Sequence, residues 1–269
     1  VKKQLINLIK RIMDDEVAAL ASQLSYSLLM AFFPFLIFLM TLIGFSSIDA
    51  EYILIELKRI LPNQAYELVY NTVIEIFETK NSNLLSFGLI LAIWTSSTGF
   101  RSVIKGLNKA YDEKEKRSYI RVVTISIIST LGLGFLIIIT LLLLVFGQIF
   151  GEFIVKKTGV NIYFFNITWN ILRYAIILFS MIFIFALIYR YTPSKKLQWD
   201  EVLPGAIFTT VGWIVASLGF AFYVNNFGNY SRFYGSIGAV IVLLTWIYLT
   251  SIIIITGGEI NAWWALDRL

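Results

Sequence analysis

Two apolar runs of helical length, joined by a short polar turn, occupy Pro204 to Asn261 (PGAIFTTVGWIVASLGFAFYVNNFGNYSRFYGSIGAVIVLLTWIYLTSIIIITGGEIN) and constrain what the rest of the chain can be. At about 1.5 Å per residue, each run is long enough to cross the roughly 30 Å of hydrocarbon in a bilayer. The turn between them, crowded with Asn, Tyr and Gly, is too polar to rest in lipid. On the first run Gly205, Gly212 and Gly219 recur at heptad spacing with Ala216 between them, leaving a stripe without bulk on which another helix backbone can approach. The second run ends in Glu259 and Asn261, and an ionisable group in or near lipid is costly unless a partner or an aqueous cavity receives it.

The remaining sequence has the same character. Hydrophobic residues make up 58% of the chain and charged residues 14%, a composition of an integral membrane protein rather than of a soluble domain. A chain of 269 residues has room for about six spans and little else. The reading is an all-α, polytopic membrane protein, one integral membrane domain over residues 1–269. The formal charge of +5 does not point to nucleic acid, because the Lys and Arg residues sit mainly in short connections, where they report topology. Cys and His are absent, which excludes disulfides, His/Cys zinc sites and a Ser-His-Asp triad. No phosphate-binding G-x-x-x-x-G-K-[ST] loop occurs, so the chain has no ATP motor of its own, and neither a cofactor nor a metal is expected.

In chain order, residues 2–13 place Leu5, Ile6, Leu8, Ile9 and Ile12 among Lys2, Lys3, Lys10 and Arg11, which suits an amphipathic helix on an anionic membrane surface or a plain extension of the first span. The N-terminal stretch has no signal-peptide core and is expected to be retained. Asp14, Asp15 and Glu16 are placed to cap a first span from about Val17 to Gly44, in which Pro34 predicts a kink. Residues 46–83 interleave Glu with apolar residues at helical spacing and are split by Pro62, predicting an acidic helical hairpin outside the membrane. Further spans are expected at about 84–100, 122–150, 168–191, 204–223 and 237–261. The basic connections, densest from Arg101 to Arg121 and again around Lys195, place both termini in the cytoplasm.

Two polar clusters follow from this depth assignment. Gln23, Tyr26, Arg101, Asn108, Glu259 and Asn261 all fall toward the cytoplasmic face, and the expected pair is Glu259 with Arg101, as inner gate, coupling site or structural staple. Outside, Tyr223, Asn225, Asn226, Asn229, Tyr230, Arg232 and Tyr234 form an adaptable set of donors and acceptors for a polar solute or a lipid headgroup. Pro34, Gly205, Gly212 and Gly219 are the hinge and packing candidates.

The segments ALASQLSYSLLMAFFPFLIFL, WTSSTGFRSVIKGLNKAYD, YRYTPSKKLQWDEVLPGA, FYVNNFGNYSRFYGSIGAVIVLLTWIYL and GGEINA, taken in order, resemble the YihY/BrkB family of bacterial inner-membrane proteins, once described as ribonuclease BN. The resemblance implies a six-helix fold in the bacterial cytoplasmic membrane and a transport or envelope role. The expectation is therefore an exporter of small polar solutes, with an envelope-lipid flippase or a non-transporting scaffold as alternatives. Membrane lipids, an unidentified solute and a second copy of the chain are the expected partners. A ribonuclease fits poorly, since a metal-dependent nuclease needs clustered carboxylates and Glu259 is the sole acid embedded near the spans.

Overall fold

A computed structural model of the chain describes residues 2–44, 54–55, 58, 66–67, 70, 74, 82–135, 162–227 and 237–266. Among them all regular structure is helical: α1 (Lys2–Asp14), α2 (Val17–Gly44), α3 (Ser82–Ala110), α4 (Tyr119–Phe135), α5 (Ile162–Tyr191), α6 (Trp199–Phe227) and α7 (Ile237–Leu266). Stretches of α5, α6 and α7 (Ile171–Tyr191, Trp199–Asn226 and Val240–Ala265) are long and apolar enough to cross a membrane, and Val17–Phe32 and Tyr119–Phe135 are shorter apolar stretches. Most of the expected hairpin and much of the expected third span lie outside the described residues. Leu54, Ile55, Lys58, Tyr66, Glu67, Tyr70 and Ile74 are helical.

Local chemistry explains where the helices stop. α3 ends in a Schellman motif: Glu113 N–H donates to the Asn108 carbonyl at 2.9 Å and Asp112 N–H to the Lys109 carbonyl at 3.0 Å. Asp112 holds the left-handed position with φ 53°, where glycine is usual. Glu16 has the same φ between α1 and α2. Its N–H closes α1 on the Met13 carbonyl, and its own carbonyl opens α2 by accepting from Ala19 and Leu20. Its carboxylate pairs with Lys109 at 3.1 Å, at the end of α3, and so ties two helix ends together. At the start of α6, Glu201 reaches back to the Gln198 N–H at 2.6 Å, which is half of a capping box. α2 runs through Pro34, which is buried, and continues to Gly44.

Packing is concentrated at one end of the bundle, the end that carries α1. There Val17, Leu20 and Leu24 of α2 meet Phe100, Val103 and Leu107 of α3, Tyr189 of α5, Val202 and Ala206 of α6, and Ile255 and Ala262 of α7 in one buried cluster. Smaller clusters lie farther along, with Leu29 against Leu243 and Ile247, and Phe220 and Val224 against Val242. Phe179, Phe183, Val215 and Leu218 face outward from the long apolar helices. Such surface is stable where the surrounding solvent is hydrocarbon.

The glycine stripe of α6 meets α7 unevenly. A Cβ on Gly205 would collide with the Gly257 carbonyl oxygen, and one on Gly257 with Thr209 Oγ1 and Tyr189 Oη. At Gly212 the nearest atom would be Ile253 Cγ2 at 3.1 Å, and at Gly219 nothing lies within 4 Å. The two helices thus touch backbone to backbone at the α1 end, whereas Gly219 lies on the exposed side of α6.

Candidate functional site

The polar residues of the α1 end sort into three groups, each built on a different set of helices. The first joins α5, α6 and α7. Tyr189 Oη, fully buried, shares a hydrogen bond with Thr209 Oγ1 at 2.6 Å and donates to the Ile254 carbonyl at 2.7 Å. Close by, Asn261 Oδ1 accepts from the Gly205 N–H at 2.6 Å. Pro204, inside α6, cannot donate and crowds the preceding turn, so the N–H next to it gains from an acceptor outside the helix. All three polar side chains in this group, Tyr189, Thr209 and Asn261, bond across helices.

The second group closes the connections between helices. Asn108, at the end of α3, accepts through Oδ1 from Ser194 N–H at 2.7 Å and donates through Nδ2 to Glu115 at 2.9 Å. Glu115 pairs with Arg117 at 2.6 Å, and Arg117 donates onward to the Thr192 carbonyl at 2.9 Å. The hydrogen bonds from the Arg117 guanidinium, above all, hold the Glu115 carboxyl down at about 2. The α3–α4 connection is thereby clasped to the α5–α6 connection.

The third group surrounds Glu259, which is wholly buried on α7. Its partner is Arg11 of α1, with Nε 3.6 Å from Oε2. The same guanidinium donates through Nη2 to the Ala110 carbonyl at 2.5 Å, one of the last-turn acceptors that α3 cannot satisfy internally. Asp15, just past α1, and Tyr111, just past α3, lie within electrostatic range of Glu259. Burial, then the negative charge of Glu201 and its neighbours, pushes the Tyr111 phenol far above its ordinary value and keeps it protonated. Both Glu259 oxygens, Arg11 Nε and Tyr111 Oη are buried without a hydrogen-bond partner among the described residues. An ordinary interior satisfies such atoms, so a cluster of them calls for an explanation.

The expected pairing of Glu259 with Arg101 is replaced by this arrangement, for a helical reason. The buried face of α3 carries Val103, Leu107 and Ala110, whereas Arg101 lies about 120° around from Leu107 and donates at 2.9 Å to Thr98 on its own side. Gln23 and Tyr26 are exposed on α2, away from Glu259. Of the outer cluster, Tyr223, Asn225 and Asn226 are exposed on the last turns of α6, with Asn226 Nδ2 returned to the Phe222 carbonyl at 2.8 Å. Asn229, Tyr230, Arg232 and Tyr234 lie outside the described residues.

Sequence reading missed Arg11, Tyr111, Tyr189 and Thr209 as members of the site. The sequence offers residues 2–13 as a membrane-surface helix or as an extension of the first span, and nothing local marks which side of a short amphipathic helix Arg11 takes. Gly257 carried a signal, since a paired glycine ahead of Glu259 is what a close approach to Gly205 requires. Away from this end, α3 and α4 border an apolar groove of about 320 Å³ lined by Phe87, Ile90, Leu91, Ile93, Trp94 and Ile127.

Comparison with known proteins agrees with the membrane reading. The family model described as virulence factor BrkB matches residues 8–268. The ribonuclease-like protein YfkH of Bacillus subtilis is 40% identical over 242 residues, 90% of this chain and 88% of its own. A UPF0761 membrane protein of Tolumonas auensis is 23% identical over 271 residues, 96% of this chain and 85% of its own. One from Alteromonas mediterranea is 23% identical over 259 residues, 93% and 84% of the two chains. No solved structure matches. Arg11, Asn108, Tyr189 and Glu259 all fall inside the matched stretch, and with that coverage the chain belongs to the virulence factor BrkB family of membrane proteins.

Proposed function

We propose that this membrane protein exports a small polar solute across the bacterial cytoplasmic membrane without an ATPase of its own, using six spans, with both termini and α1 in the cytoplasm and residues 46–83 outside. The observation that supports this reading is the Glu259 group. A fully buried carboxylate on an apolar helix lies 3.6 Å from the Arg11 guanidinium, with neither oxygen hydrogen-bonded among the described residues. Intramembrane carboxylates of this kind mark ion and substrate paths. Arg11 belongs to a short helix at the margin of the bundle, so displacement of α1 removes the ion pair and the bond to Ala110 together, opening Glu259 and Tyr111 to the cytoplasm. The tightly bonded Tyr189 and Asn108 groups stay fixed while α1 moves.

The test is flux in proteoliposomes across a panel of polar solutes. Glu259→Gln, folded and inserted, abolishes flux; Tyr111→Phe reduces it while leaving stability unchanged or raised, because the hydroxyl it removes has no partner. Undiminished flux in folded Glu259→Gln would end the proposal. Movement of an envelope lipid is the second reading, favoured by the apolar groove between α3 and α4. The word ribonuclease in the name of the Bacillus relative adds no hydrolytic step here. Among the described residues no three of His, Cys, Asp or Glu are gathered as a metal site, and we assign none of them to catalysis.

A further inference from the structure

One face of α3 carries a pattern that neither packing nor the Glu259 group uses. Phe87, Leu91, Trp94, Thr98, Arg101 and Lys105 follow one another at steps of four, three, four, three and four residues, so all six share a side of the helix. Toward the far end this side lines the groove shared with α4. Toward the α1 end it turns polar. Phe87, Ile90 and Trp94 are 64%, 69% and 65% exposed, so the groove opens on the bundle's outer surface. In a membrane protein that surface meets lipid.

The charges on this surface have one sign. α3 contains Arg101, Lys105 and Lys109 and no Asp or Glu; α4, over Tyr119–Phe135, contains Arg121 and no acid. Lys109 is taken by Glu16, but among the described residues no carboxylate pairs with Arg101 or Lys105. Arg101 instead points along the stripe to Thr98 Oγ1 at 2.9 Å. A second copy of the chain docking here through the same face would set cations against cations. An anionic occupant is favoured.

We propose that this stripe is a binding site for a phospholipid of the leaflet on the α1 side, with its phosphate on Arg101 and Lys105 and an acyl chain in the groove between α3 and α4. The lengths agree. Seven residues of helix set Trp94 about 10 Å from Arg101, and fourteen set Phe87 about 21 Å away, so a chain anchored at Arg101 and descending through one leaflet of about 15 Å ends inside the groove. Arg101 supplies a planar donor fork and Lys105 a mobile ammonium, two complementary ways to hold a phosphate. The site stands whether the protein moves a solute, a lipid or neither.

The test is native mass spectrometry of the full chain, released from a neutral detergent after titration with dioleoyl phosphatidylglycerol. Arg101→Ala with Lys105→Ala weakens retention of the lipid about tenfold, as expected for loss of charge-assisted contacts. Arg101→Lys with Lys105→Arg retains most of it. Ile90→Trp, a substitution at an exposed groove position that leaves both cations in place, weakens it as well. Lys116→Ala with Lys196→Ala, exposed cations elsewhere at the same end, leaves retention unchanged. Unaltered retention in either the double alanine variant or Ile90→Trp would overturn the site, and so would an equal loss in the Lys116/Lys196 variant.

Discussion

The two ends of the α6–α7 pair are built on opposite principles. At the α1 end the backbones meet at Gly205 and Gly257, and the polar groups around that contact, Tyr189, Thr209 and Asn261, are buried and bonded across helices. At the far end Gly219 faces open space, and the helices are held through bulky side chains, Phe220 and Val224 on Val242, with Trp213 against Trp246. In lipid the hydrophobic effect does not press helices together, so close backbone packing and interhelical hydrogen bonds do that work. Both are concentrated at the α1 end, whereas the far end adds to its side-chain packing the bond from Trp246 Nε1 to Ser217 Oγ at 3.2 Å. The site around Glu259 sits at the α1 end and is closed by α1, whose contacts include the Arg11 ion pair and half-buried Ile12.

The comparison breaks most decisively at Gly257. Gly257→Ala drives a methyl group into Thr209 Oγ1 and Tyr189 Oη and costs about 3 kcal/mol, whereas Gly219→Ala, at an open helical position, is neutral or stabilising by up to about 1 kcal/mol. Denaturation midpoints of the two variants in the same detergent check both. Next, Tyr189→Phe removes the bonds to Thr209 and Ile254 and costs about 2 kcal/mol, while Trp246→Phe, which removes a single 3.2 Å bond to Ser217, costs no more than about 1 kcal/mol. Equal losses would mean that the ends do not differ in how they are held.

The clasp between the connections sharpens the same contrast through pH. Glu115 has a folded value of about 2 against an ordinary 4.5, so its contribution is present in full above 4.5 and is lost as pH falls from there toward 2. The Tm difference between wild type and Glu115→Gln is therefore present at pH 6 and shrinks across that window. A pH-independent difference would show that the carboxylate's charge is not what the clasp uses. The smallest expected effect is at Asp112, where glycine relieves a left-handed backbone and raises stability by about 1 kcal/mol.

The helices were legible because apolar runs of this length admit few other structures. Glu259 was legible as a residue in need of a partner. The partner was not: Arg11 and Glu259 are 248 positions apart, and the choice between Arg11 and Arg101 turns on which side of α3 is buried. Gln23 and Tyr26 show the same limit. Depth in the bilayer can be read by counting residues, but azimuth around a helix that is apolar on most sides cannot, since its pattern has little amphipathic contrast. The paired glycines of α7 were the missed clue, for Gly257 marks the side that turns toward α6 and Gly258 the side that receives Leu107 of α3.

The central claim is that α1, through Arg11, is the removable cover of the Glu259 site. Because the chain has no cysteine, a single Ala262→Cys, one turn beyond Glu259 and fully buried, is a unique reporter of access. The measurement is its rate of labelling by a membrane-impermeant maleimide added from the α1 side, with Arg11 intact and with Arg11→Ala. The account predicts slow labelling that accelerates at least tenfold when Arg11 is removed, with the denaturation midpoint of the remaining bundle preserved, the tenfold corresponding to about 1.4 kcal/mol of closing free energy. The same slow rate in both proteins would contradict it, leaving the ion pair a staple and α1 a fixed part of the fold.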